Sequence, residues 1–285
     1  MPTHPFYSDV LVNCDEVSGL LASGARAIQV DFDPAAYGHG HIPGACSWSW
    51  DSQLRNPETH EVISKVDFEQ LMGGTGISLD TPVILYGDNN NWFACWAFWM
   101  LKLYGHPNVR LVDGGLAKWI STNQHLSTTE SVPKLSEYKS LTTDFRNKAT
   151  IEDIFGSFFD GEQSCLLDVR SAAEYRGEIT SPGIGTQSKC AIAGHIPNAI
   201  NIPWTLNCNP DGTFKSPECL NALYKSFDVR PEMKVITYCA IGERASLSWF
   251  VLRHLLGYNI VLNYDRSMAH WSRVSNAPIV TGQAA

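Results

Sequence analysis

The chain has no C-x-x-C pair, no excess of positive charge and no apolar run long enough to span a bilayer. Each absence removes a class of function. Lys plus Arg number 21 against 29 Asp plus Glu, a net charge of −8, which argues against a general binder of nucleic acid or of an anionic membrane. A local cationic pocket stays open. The most apolar stretch, WFACWAFWML at 92–101, is too short for a transmembrane helix and reads as a buried core helix. Trp92, Trp96 and Trp99 lie at helical spacing inside it. The opening MPTHPFYSDV has neither a basic n-region nor an apolar h-region, so no secretory leader is expected. The eight cysteines at 14, 46, 95, 165, 190, 208, 219 and 239 are scattered, so disulfides are not expected. A cytoplasmic, reducing setting is the expectation.

What is present is a repeat. HIPGA at 41–45 recurs as HIPNA at 195–199, and PVILYG at 82–87 as KVITYC at 234–239. Gly105, Asp113 and Trp119 match Gly257, Asp265 and Trp271 at a spacing of 152, whereas Asn13 and Asp31 match Thr150 and Asp168 at 137. The second copy therefore carries an insertion within GEITSPGIGTQSKCAIA, before its HIPNA. Each copy alternates strand-like runs (AIQVD, VILY, VRLVD; CLLDV, VITY, IVLNYD) with helical patterns. Asn13 and Thr150 have N-cap chemistry with an acid three residues on, and SPEC at 216–219 reads as Ser N-cap with Pro at N1. The expected fold class is α/β: two domains, each a mostly parallel sheet flanked by helices. The expected boundaries are 1–120, a polar linker at 121–145, and 146–285.

Among the eight cysteines, only Cys239 ends a β-branched run and begins a Gly-containing turn into a helix. Ligands of parallel sheets bind at the carboxyl ends of strands. The backbone N–H groups of Ala240, Ile241, Gly242 and Glu243 can form an anion nest, the helix N-terminus adds partial positive charge, and Arg244 adds a full one. This setting is expected to lower the thiol pKa and make Cys239 a nucleophile, with Glu243 opposing unless it points outward. Where the second copy has Cys239 the first has Gly87, so the first copy is expected to be inactive. A cysteine phosphatase uses C-x5-R to wrap phosphate; here Cys239 to Arg244 is C-x4-R. The tighter loop suits a single sulfur carried as a persulfide. The HGH triplet at 39–41 could suggest a metal, but no cysteine or carboxylate pattern completes a site, so a structural role and no metal are expected. The recurring Asp31, Asp113, Asp168 and Asp265 are expected to tie loops to backbone N–H groups.

GHIPG at 40–44, GHIPN at 194–198, LLDVRSAAEYRG at 166–177, YCAIGER at 238–244 and the Trp271 region resemble the tandem rhodanese-domain sulfurtransferases, over nearly the whole chain. Bacterial thiosulfate sulfurtransferases, with C-R-x-G-E-R loops and a similar NNNWF, are the nearest in pattern. The resemblance implies two rhodanese domains, an inactive first and an active second, facing each other across a substrate cleft. It implies a cofactor-free enzyme moving sulfane sulfur from thiosulfate to cyanide or a thiol through a Cys239 persulfide. It also implies an arginine supplied from the segment after Asp168. This chain has Glu174 at that position, leaving Arg170 and Arg176 as candidates, with Arg176 preferred. Ala240 and Ile241 match neither the C-R-K-G loop of vertebrate thiosulfate enzymes nor the C-G-[ST]-G loop of mercaptopyruvate enzymes. A 3-mercaptopyruvate sulfurtransferase is the alternative enzyme. YDRSMAHW departs from the common YDGSWxEW at Arg266 and Met268, which leaves room for a regulatory or sulfur-binding module with a vestigial site.

Overall fold

A computed structural model of the chain describes residues 7–180, 190 and 192–282. It divides into two units, Met1–Phe145 with Asn209–Phe214, and Arg146–Cys208 with Lys215–Ala285. Most of the insertion expected in the second copy lies outside the described residues.

The first unit is built on five strands, β1 (Leu11–Val12), β2 (Arg26–Asp31), β3 (Cys46–Ser49), β4 (Val83–Tyr86) and β5 (Val109–Val112), in the order β1-β5-β4-β2-β3. The second has four, β6 (Ser164–Asp168), β7 (Ile200–Asn201), β8 (Lys234–Tyr238) and β9 (Ile260–Asn263), in the order β7-β6-β8-β9. Every pairing is parallel. The central strands are buried along their length, as a sheet covered on both faces requires, and so read as continuous apolar runs. The fold is α/β, with mostly parallel sheets flanked by helices, as the alternation of elements predicts.

Helix starts follow local side-chain chemistry. Thr150 and Asp153 close a reciprocal capping box, Thr150 Oγ1 accepting from the Asp153 N–H at 3.2 Å and Asp153 Oδ2 from the Thr150 N–H at 2.9 Å. Ser216 caps the Pro217–Ser226 helix. The apolar 92–101 stretch forms the Trp92–Leu103 helix, hydrophobic all round because it is buried all round. No described helix is long and apolar enough to cross a membrane.

The repeat is visible in detail. His41 stacks on Tyr37 at 3.7 Å and His195 on Tyr175 at 3.6 Å, and each Nδ1 meets the carbonyl of its tyrosine. The second ring nitrogen of His41 meets Thr129 O, so both nitrogens serve the backbone. Tyr86 accepts the Ile42 N–H and Tyr238 the Ile196 N–H. Trp119 and Trp271 are both buried with their indole N–H on a carbonyl.

Two segments depart from a simple cut between halves. The 121–145 stretch, expected to be a linker, runs along the first unit: Ser127 bridges His41, Ser136 N–H donates to Gly73 O at 3.0 Å, and Ser140 N–H to Glu69 at 3.0 Å. The Asn209–Phe214 loop also belongs to that unit. Its Asp211 pairs with Lys118 at 2.7 Å, and its Phe214 N–H donates to Asp113 at 2.9 Å.

Three of the recurring aspartates, Asp31, Asp113 and Asp168, tie loops to backbone N–H groups, while Asp265 pairs with Lys148 at 3.4 Å. Asp168 binds the Arg170 N–H and guanidinium at 2.5–3.2 Å. Asp31 accepts the Asp88 N–H at 3.0 Å and Gln29 Nε2 at 2.6 Å. Burial, then the nearby Asp88, push the Asp31 carboxyl up from 3.8 to about 7. Because the folded value is raised, the proton is kept on folding. The stability this supplies is complete below about pH 4 and is lost as pH rises through about 7. Asp31→Asn is therefore expected to be near neutral at about pH 4 and stabilising by about 4 kcal/mol near pH 8, read by urea denaturation. Gln29 Oε1 is buried without a hydrogen-bond partner, so a flipped Gln29 amide can accept from the new asparagine. A variant whose advantage does not grow with pH would sink this reading.

Candidate active site

β8 ends at Tyr238, and Cys239 is the next residue. The turn 239–242 then enters the Glu243–Phe250 helix. The turn needs glycine at 242 for two reasons. Its φ is +104°, and a Cβ there would lie 2.1 Å from the Asp265 carbonyl oxygen. The segment after β9, the neighbour of β8, pins the loop from the other side. Ser267, itself left-handed at φ 49°, accepts the Cys239 N–H on Oγ at 3.0 Å. The Met268 and Ala269 N–H groups hold the Cys239 and Ala240 carbonyls at 3.2 and 2.9 Å. None of these three was singled out in the sequence for that task. Their signal is positional, a polar turn at the carboxyl end of the adjacent parallel strand. Met268, one of the departures noted, is fully buried.

The thiol lies in a closed site. Cys239 is 0% exposed, and Ala240 and Ile241 are buried beside it. Sγ accepts the Gly242 N–H at 3.1 Å, and the Ser267 hydroxyl lies 3.9 Å away. On its remaining side it donates to Glu243 Oε2 at 3.5 Å. Glu243 thus points inward, at the sulfur. Burial first, then the Glu243 charge, push the Cys239 thiol up to about 12, while Arg244 and the Ala245 and Gly242 N–H groups pull the other way. The sequence reading of an acidified thiol is corrected here. Desolvation exceeds what the helix terminus and loop donors supply.

Arg244 is clamped. Its Nη1 and Nη2 bind Glu174 Oε2 and Oε1 at 2.9 and 3.0 Å, a bidentate fork, and its Nε binds Glu243 Oε1 at 3.3 Å. Arg244 and Glu174 are both buried. Burial alone would raise the Glu174 carboxyl. The Arg244 fork, its charge and the Ser171 bonds outweigh burial and hold it below the ordinary range. Glu174 also caps its own helix, Ala172–Arg176, accepting the Ser171 N–H at 3.1 Å.

Arg176, expected to enter the pocket, pairs with Glu178 at 2.7 and 3.0 Å near the surface. It stands at the last position of its helix, before the left-handed Gly177 cap, and that turn carries it outward. Arg170 is spent on Asp168 and Gly194 O. The side chain from this segment that reaches the Cys239 loop is Glu174. Cys190 is buried; burial raises its thiol, and the charges of Arg170, Glu174, Arg244 and Asp168 also act on it. Among the described residues no cysteine forms a disulfide. Chemically the site offers one sulfur nucleophile, inward N–H donors, and a single guanidinium faced by two carboxylates.

The Rhodanese-like domain family matches residues 14–122 and again 156–274. A Haloferax volcanii protein named "Putative thiosulfate sulfurtransferase" is 41% identical over 99% of this chain and 100% of its own length. "Sulfur carrier protein TtuD" of Thermus thermophilus is 42% identical over 98% of each chain. Among solved structures, an anaerobic ergothioneine biosynthesis enzyme from Chlorobium limicola, in complex with trimethyl histidine, superposes with a TM-score of 0.85 at 24% identity. That match covers 96% of this chain and 71% of the other, and speaks for the fold. Two matched domains together with full-length relatives place this chain in the family of tandem rhodanese-domain sulfurtransferases.

Proposed function

We propose that Cys239 takes sulfane sulfur from thiosulfate, holds it as a persulfide and passes it to cyanide or a thiol. The observation that carries this reading is the position of Sγ, at a strand end where the Gly242 and Ala245 N–H groups point to it. Full-length relatives named "Putative thiosulfate sulfurtransferase" support the donor. In the first step the thiolate attacks the outer sulfur of thiosulfate. A Cys239 S–S bond forms, the donor S–S bond breaks, and sulfite leaves with the electron pair. In the second the acceptor attacks the terminal sulfur and the Cys239 thiolate departs.

Exposure to thiosulfate should leave one extra sulfur on the peptide holding Cys239, removable by cyanide, with ping-pong kinetics. Intact-mass and peptide mass spectrometry check this. No adduct under turnover conditions would favour the regulatory alternative. 3-Mercaptopyruvate belongs in the same assay as a competing donor.

A second reading has its own support. Arg244 faces both Glu174 and Glu243, so these three groups sum to a negative charge, and a dianion gains less there than beside an unopposed arginine. A monoanionic or neutral persulfide donor fits such a pocket better. Donor competition under identical conditions separates the two readings.

A further inference from the structure

We propose that Glu243 is the base that takes the proton from Cys239. The inference rests on Cys239 being the sulfur-carrying thiol, and it gives Glu243 a catalytic role in place of a loop contact to substrate.

Consider the hydrogen-bond neighbours of Sγ among the described residues. The Gly242 N–H at 3.1 Å and the Ala245 N–H are donors to it, while the Ser267 hydroxyl, 3.9 Å away, gives its proton to the Tyr264 carbonyl at 2.7 Å. Glu243 Oε2, at 3.5 Å, is the carboxylate acceptor within hydrogen-bond reach of the thiol. Cys239 is wholly buried, and Glu243 Oε2 is the proton acceptor already in place beside it. The other carboxylate oxygen, Oε1, holds the Arg244 Nε–H at 3.3 Å, and Arg244 is itself forked onto Glu174. The base is thus oriented by a second group and that group by a third, the arrangement by which a buried nucleophile is activated.

Charge counting decides between routes. Arg244, Glu174 and Glu243 sum to a negative charge while the thiol is protonated. Losing the proton to solvent would add a second negative charge inside a closed site, which desolvation opposes. Passing it to Glu243 moves the charge from carboxylate to sulfur and leaves the sum unchanged. The new thiolate keeps the Gly242 N–H and the helix terminus, and Arg244 still lies next to it. The balance closes. The S–H bond breaks and the Oε2–H bond forms. The thiolate then bonds the donor's outer sulfur, and the donor's leaving group departs with the electron pair. When the acceptor has taken the sulfur, Glu243 returns its proton to Cys239.

Other charged or titratable groups on the surrounding elements stay constant in the comparison. They are Glu174 and the Arg170–Asp168 pair from the segment after β6, the Cys190 thiol, Tyr238 on β8, and Asp265 with Lys148 on the side of the pinning segment.

The test reads thiol reactivity, which needs no sulfur transfer. Iodoacetamide alkylation of the Cys239 peptide is followed by mass spectrometry from mildly acidic to strongly alkaline pH. The wild-type rate should level off by neutral pH. Glu243→Gln should be slower at neutral pH by about a hundredfold, with the gap closing toward alkaline pH. Formate should restore Glu243→Ala. A Gln variant alkylated as fast as wild type, or faster, overturns the proposal, since a carboxylate that only repels the thiolate gives that sign. If the Gln variant does not fold, the wild-type profile decides. A rate that climbs tenfold per pH unit into the alkaline range overturns it as well. A wild type that alkylates as expected but takes no sulfur from thiosulfate would instead count against the proposed function alone.

Discussion

Cys239→Ser is expected to stop sulfur transfer, by at least about a thousandfold, with the fold retained. The hydroxyl fits where the thiol sat and can accept the same Gly242 N–H. It is a far weaker acid and cannot hold sulfur in an exchangeable S–S bond. Serine at the other seven cysteines should leave turnover largely intact, although not always stability. Cys165 is a strand residue on β6 whose thiol burial raises to about 12, and a hydroxyl there costs about 1–3 kcal/mol if it finds no partner. Cys219 is exposed and should be silent. Steady-state kinetics beside thermal melts separate the two effects. A Cys239→Ser enzyme with ordinary turnover would end the mechanism.

Glu174→Ala should be the most damaging substitution outside the nucleophile. It removes both arms of the Arg244 fork and leaves a guanidinium that is 3% exposed facing the alanine. Breaking a buried pair by deleting one partner costs about 3–5 kcal/mol. Losing the Ser171 capping box adds to this. Activity should fall too, because Arg244 orients Glu243. The pH dependence has a definite sign. The folded Glu174 carboxyl lies below its unfolded value, so its contribution is present above the unfolded pKa and fades as pH falls through the folded one. Arg176→Ala, by contrast, touches a surface pair with Glu178 and should change neither stability nor rate appreciably. Urea denaturation of both variants at neutral and acidic pH, with kinetics, checks this. A Glu174→Ala protein as stable as wild type would show that the fork does not hold the loop.

The contrast between these two residues explains what the sequence could disclose. Strand runs, caps and the repeat are local patterns, and β2, β4, β5, β6, β8 and β9 fall where those patterns predict. Cys239 was legible because strand end, glycine turn and arginine are contiguous. Glu174 was not, because its role depends on which face of a short helix meets a residue 70 positions away. Arg176 sits two residues on and faces elsewhere. The raised thiol pKa was equally hidden. Motif spacing names donors and charges but not the burial that outweighs them. The Asn209–Phe214 loop escaped notice because its ties, to Lys118 and Asp113, pair residues about a hundred positions apart.

Gly87 stands where the second copy has Cys239, and its surroundings bear on the history of the duplication. A Cβ added at Gly87 would meet the Val30 carbonyl oxygen at 2.3 Å and Asp31 Oδ1 at 3.2 Å. The residues after it, Asn89, Asn90 and Asn91, are all left-handed, and Asn91 Oδ1 accepts the Gly87 N–H at 3.0 Å. The backbone has closed over the space a thiol would need. Restoring a cysteine by one codon change therefore yields a clash with β2 rather than a second nucleophile. Position 87 is thus closed to any side chain by main-chain sterics, and not merely by the identity of the residue that stands there.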